Sequence, residues 1–209
     1  MAKPTLLTYA GKFLLHPTDP TKNLAKLFPY IDIIVNSNVH VAPPCNRGTI
    51  VQTDYEGYHY RWTCDDYTDL SEAFMNTVFP DPPGVSAQVI FRCYHFENVV
   101  NMDRMFMNCD WIDNLEQLHV GRYLQSATHM CYGCTHTEMG GGITVDANNK
   151  VLNDVSYMFY DCQEFDGAHV AYQKLAALNL SMNTYQCFYN VPYNEAEWIP
   201  ESWGGLMHE

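Results

Sequence analysis

Apolar residues along this chain fall into two alternating kinds of spacing. Val155, Met158, Phe159 and Cys162 sit at i, i+3, i+4 and i+7, the spacing of one face of a short helix. Between clusters of this kind, apolar and polar positions alternate as they do in strands: Ala87–Phe91, Leu115–Val120, Gly142–Val145 and His169–Tyr172. Gly, Asn and Asp runs such as Asp146–Lys150 mark turns between them. The first third of the chain has a different texture. Thr5–Leu15, Tyr30–Val41 and Gly48–Trp62 carry β-branched and aromatic runs bounded by Pro, Gly and Asn, which predicts strands, and Pro17–Phe28 predicts a short helix between the first two.

The apolar clusters repeat. "VVNMDRMFMNC" ends at Cys109, "LQSATHMCYGC" at Cys134 and "LNDVSYMFYDC" at Cys162. Each places Met (Met105, Met130, Met158) before a ring or thiol (Phe106, Cys131, Phe159), then two variable positions, then Cys. Weaker copies at Leu70–Thr77 and Thr184–Val191 put Phe74 and Phe188 in the ring slot. That slot falls at 74, 106, 131, 159 and 188, at intervals of 32, 25, 28 and 29. A unit of this length cannot bury its apolar face alone, so repeats of it stack. The expected fold is α/β: a short leucine-rich-repeat-like solenoid of about five coils over 67–203, one strand and one short helix per coil. Residues 1–66 form a β-rich N-terminal cap or docking region and 204–209 a tail, with Trp198, Ile199 and Trp203 closing the last coil.

The phrase, carried by Val100–Cys109, Ala127–Cys134 and Val155–Cys162, resembles the BspA-type leucine-rich repeats of bacterial surface proteins. The resemblance covers roughly residues 67 to 203. It implies a solenoid and a role in adhesion or recognition, in proteins that are usually exported. The N-terminus departs from that pattern: Pro4, Tyr9, Gly11 and Lys12 interrupt its apolar pieces, so no export signal is read there.

The repeat register also decides the chemistry of "HMCYGCTH", His129 to His136. On a helix, Ala127, Met130, Cys131 and Cys134 share about 100° of arc, while His129 and His136 lie near the opposite side. Structural zinc needs four ligands converging on one point. The stretch therefore reads as core, with Cys109, Cys134 and Cys162 as free, buried thiols in adjacent coils and no metal or cofactor. Cys64–Asp69 lacks the spacing of a calcium loop, and Asp69 suits a cap on the first repeat. The glycine run at Met139–Asp146 precedes a strand and does not open a helix, so it builds no phosphate cradle. No nucleophile elbow is present. An enzyme is not expected.

Charge narrows the partners. With 24 acidic against 11 basic residues, the net charge of −13 disfavours nucleic acid, and Lys12, Lys22 and Lys26 form no basic patch. Fifteen tyrosines suit half-wet packed surfaces. No segment approaches the length of a membrane span. The expectation is a non-catalytic interaction module with a protein partner, itself or a larger assembly such as a bacteriophage virion. The rivals are an intracellular or surface bacterial repeat protein of adhesion type, and a Cys/His metalloprotein or enzyme. Its place is a virion surface or similar assembly, alternatively the cytoplasm. Gln117, His119, Arg122, His169 and Tyr172, on the expected strand face, are the candidate ligand contacts.

Overall fold

A computed structural model describes residues 8–9, 12–13, 28–36, 41–54, 58–79, 88–139 and 143–207. The helix expected at Pro17–Phe28 lies almost wholly outside them. A small hairpin pairs β1 (Thr8–Tyr9) with β2 (Lys12–Phe13). The main sheet has five strands: β3 (Tyr30–Asn36), β4 (Thr49–Gln52), β5 (His59–Thr63), β6 (Gln88–Tyr94) and β7 (Asn114–Glu116), in the order β4-β5-β3-β6-β7. All neighbours are antiparallel except β6 and β7. Alternation sets the faces. Ile31, Ile33, Val35, Tyr60, Trp62, Val89, Phe91, Cys93 and Leu115 are buried on one side. The other side carries Asp32 paired to Arg61 at 2.6 Å, Arg92 paired to Glu116 at 2.7 Å, and Tyr30 stacked on Tyr94. β8 (His119–Val120) and β9 (Thr144–Val145) form a separate parallel pair.

The expected coil of one strand and one short helix does not form, and the solenoid built from it is corrected accordingly. The described residues are mainly mixed β-sheet, and their only α-helices are α1 (Ala168–Ala176) and α2 (Tyr193–Ala196). Neither coincides with a repeat phrase. The strand expected at His169–Tyr172 lies inside α1.

Each repeat phrase is instead a run of tight turns. The backbone has positive φ two residues before the ring slot (Glu72, Arg104, His129, Tyr157, Gln186) and two residues after it (Asn76, Asn108, Gly133, Asp161, Asn190). A left-handed residue reverses the direction of its peptide groups, so a helix cannot propagate through it. Alternate N–H groups close turns within the phrase, as Met105 N does to Met102 O and Cys109 N to Phe106 O. The others reach the next phrase along the chain. Met102, Arg104, Phe106 and Asn108 N–H donate to Ser126, Thr128, Met130 and Tyr132 O at 2.7–3.0 Å, and the same four-bond pattern joins every adjacent pair. Isolated parallel bridges run Asp69–Asn101–Ser126–Asp154–Asn183 along the stack.

Side chains lock the turns. At the start of four of the five phrases an Asx side chain accepts the N–H two residues on: Asp69 from Ser71, Asn101 from Asp103, Asp154 from Ser156, Asn183 from Tyr185. The third phrase begins with Ser126, whose hydroxyl does not accept the Thr128 N–H. Asp103 of the preceding turn does so instead, accepting from Ser126 Oγ at 2.6 Å and Thr128 N at 2.8 Å. Inside, Phe74 stacks on Phe106 and Phe159 on Phe188, while Met105, Met130, Cys131 and Met158 are fully buried. The thiols of Cys109, Cys134 and Cys162 each donate to the ring-slot carbonyl one turn back: Phe74 O, Phe106 O and Cys131 O, at 2.8, 3.0 and 3.1 Å.

No break in pairing falls near residue 66. β3 and β5 precede it and share a sheet with β6, and Trp62 and Phe91 both pack on Phe74 of the first turn. Asn46 and Arg47 close that end of the stack. Asn46 N donates to Ala73 O at 2.7 Å, Asn46 Nδ2 to Met75 O at 2.6 Å, and Arg47 Nη1 to Ser71 O at 2.8 Å. At the other end Phe188 N donates to Trp203 O and Ile199 is buried, whereas Trp198 is exposed.

Candidate recognition surface

The five residues expected to share a ligand face are scattered. Gln117 is exposed with φ of 59° between β7 and β8. His119 sits on β8, its Nε2 buried with no hydrogen-bond partner. Arg122 pairs with Asp146 at 3.2 Å. His169 and Tyr172 are on α1, where His169 Nδ1 meets Glu195 at 2.5 Å and Tyr172 packs edge-on to Trp203 at 5.2 Å. Among the described residues none of the five bonds to or stacks on another.

The two histidines and two thiols of His129–His136 also part company. Cys131 and Cys134 are in the core, His129 stacks on Tyr157, and His136 hydrogen-bonds Asp110 at 2.7 Å. Among the described residues no three His, Cys, Asp or Glu side chains gather as metal ligands would. Burial pushes the Cys109 thiol up to about 12 and raises Cys93, Cys131, Cys162 and Cys187 as well, so all five are protonated at neutral pH.

What the stack does assemble is a double column of aromatic rings on its outer flank. One position after the ring slot, Tyr132, Tyr160 and Tyr189 stack in sequence, with centroids 4.7 and 4.9 Å apart and planes 6° and 17° from parallel. Two positions before the slot, His129 stacks on Tyr157 at 4.6 Å, and Tyr185, three positions before the last slot, meets Tyr157 edge-on at 5.4 Å. Tyr132 and Tyr157 are 6.4 Å apart and Tyr157 and Tyr160 5.7 Å, so the columns touch. The spacing comes from the backbone: turns hydrogen-bonded like parallel strands repeat at the inter-strand distance, which suits stacked rings.

This surface is uncharged at neutral pH. Burial, with the nearby Arg104 cation, lowers the His129 pKa and keeps the imidazole neutral. Burial and neighbouring phenols raise Tyr157 and Tyr160. Rings stacked on one another hide their faces and present edges and hydroxyls to solvent, an array of donors and acceptors on a rigid apolar body. The signal was present in the sequence: Tyr132, Tyr160 and Tyr189 recur at one repeat position that the apolar register treats as variable.

Beside the first turns, Phe28, Tyr67, Val100, Tyr123 and Val151 line a groove of about 560 Å³. The aromatic columns end at a second cleft of about 520 Å³, described below. Among the described residues no helix is long and apolar enough to cross a membrane. Comparison with protein-family models, curated proteins and solved structures yields no match.

Proposed function

We propose that this chain is a non-catalytic recognition module that meets a protein partner through the double column of rings, as a component of a larger assembly. The observation carrying this reading is the alignment of His129, Tyr132, Tyr157, Tyr160, Tyr185 and Tyr189 on one flank. Tyrosine supplies large contact area at low entropic cost, because its ring has only two torsions to fix, and stacking has already fixed them here. The thiols serve as buried hydrogen-bond donors to the neighbouring turn, which supports an architectural role for the cysteines. The resemblance of the repeat phrase to BspA-type repeats, which serve adhesion or recognition, supports the same reading on the phrase alone.

The test compares native complexes recovered with the full chain, with a Tyr132→Ala/Tyr160→Ala variant, and with Arg92→Ala on the far face of the sheet. A partner retained by wild type and Arg92→Ala but lost from the tyrosine variant is the expected result. Identical partners for all three would refute the surface.

A further inference from the structure

The end of the aromatic columns has a chemistry of its own. Tyr189 is the last ring of its column: Tyr160 stacks on it, and among the described residues no ring follows. Tyr189, Tyr185 and Tyr193 line the cleft of about 520 Å³ between the last turn and the C-terminal segment, within the range of sites that hold small groups. Glu201 stands among them, with Val191 and Leu206 forming apolar wall. Among the described residues no cation lines this cleft, and Glu201 is the carboxylate in its wall.

Resting on the recognition reading above, we propose that this cleft receives the arginine or lysine side chains of a basic segment in the partner protein. Three features converge on that occupant. Tyrosine faces attract a guanidinium or ammonium through the ring quadrupole, and Tyr189 has a face with no ring upon it. The aliphatic stems of Arg and Lys pack on the apolar wall of Val191 and Leu206 with the charged head toward the end that holds Glu201. The net charge of −13 steers basic surfaces toward the molecule and repels acidic ones. A neutral sugar would also stack on the rings, but would gain nothing from the Glu201 carboxylate in the wall or from the net negative charge.

The experiment is calorimetric titration of the full chain with a blocked hexapeptide of alternating arginine and glycine. The same peptide with citrulline for arginine, and the oligosaccharide cellohexaose, serve as probes of charge and of ring stacking alone. Tyr193→Ala and Glu201→Gln test the cleft, and Tyr157→Asn tests the columns away from it, asparagine being tolerant of the positive φ there. Tyr193 is 74% exposed, so its truncation reads on binding with little effect on folding. The expected result is arginine-peptide binding that weakens roughly tenfold with citrulline and roughly tenfold in Tyr193→Ala, with a smaller loss in Tyr157→Asn. Equal binding by wild type, Tyr193→Ala and Glu201→Gln would mean diffuse charge attraction and overturn the proposal. So would binding of cellohexaose in preference to the peptide. Loss in Tyr157→Asn alone would overturn the cleft while leaving the ring columns as the contact surface; no change in any variant would count against both.

Discussion

Phe159 and Tyr160 are neighbours with opposite fates. Phe159 is fully buried, packed between Phe165 at 4.9 Å and Phe188 at 5.4 Å, while Tyr160 stands in the outer column. Phe159→Ala should cost about 3–5 kcal/mol through the cavity it leaves. Tyr160→Ala forfeits one stacked surface ring on either side and should cost about 1 kcal/mol or a little more. Denaturant unfolding of both variants checks the difference, and comparable small costs would show that the turn register is wrong. The cysteines separate in the same way. Cys93, Cys109, Cys131, Cys134, Cys162 and Cys187 are buried and free, whereas Cys45 and Cys64 are half-buried. Under native conditions iodoacetamide should modify Cys45 and Cys64 first and leave the other six until the protein is unfolded. Rapid native alkylation of Cys109 or Cys162, followed by mass spectrometry, would contradict the packing described.

At the scale of elements, α1 depends on a carboxylate from another helix. Its first turn has no side-chain cap of its own, and Glu195 of α2 accepts both the His169 N–H at 3.0 Å and His169 Nδ1. Burial alone would raise the Glu195 pKa, but the hydrogen bonds from His169 outweigh it and the group lies below the ordinary glutamate value of 4.5. A carboxylate with a depressed folded-state pKa contributes stability that is complete above its unfolded value and is lost as pH falls through the folded one. Wild type should therefore lose stability more steeply below about pH 4.5 than Glu195→Gln. Melting temperatures across that window decide it, and parallel curves would remove Glu195 from the account. The turns are the other lesson at this scale. Asn76, Asn108, Gly133, Asp161 and Asn190 share one repeat position, and these are the residue types that enter the left-handed region most readily. That position argued for turns, and the i, i+3, i+4, i+7 apolar spacing concealed it because consecutive tight turns turn the same residues inward.

For the whole molecule, the sheet and the stack form one core. Removing residues 1–66 would delete β3, the central strand, with β4 and β5, and strip Trp62 from Phe74 and the Asn46–Arg47 cap from the first turn. The fragment 67–209 should therefore fail to fold cooperatively, as judged by near-ultraviolet circular dichroism and a broad melt. A fragment with native spectra and a sharp transition would mean that the stack is independent after all. Closure at the first turn also bears on assembly. The carbonyls of Ser71, Ala73 and Met75 would otherwise accept another turn, but already accept from Asn46 and Arg47. Pro43 is buried and Pro44 half-buried, so this proline pair offers no exposed turn to a second copy.

The sequence by itself determined which side chains are inside. The recurrence of Met, ring and Cys fixes an inward set through apolar burial alone, and that set does not depend on whether the backbone carrying it is helix or turn. Backbone conformation was a different matter. Alternate peptide N–H groups of the first four phrases are satisfied by carbonyls 24 to 31 residues away, and local spacing holds no record of so distant a partner. Only the tertiary structure decided that β3 pairs with β6 across residue 66, and that His169 and Tyr172 lie on a helix. Stacking also brought tyrosines from separate turns into one surface. Each of these depends on contacts between segments far apart in the chain, where hydrogen bonding and packing override local preference.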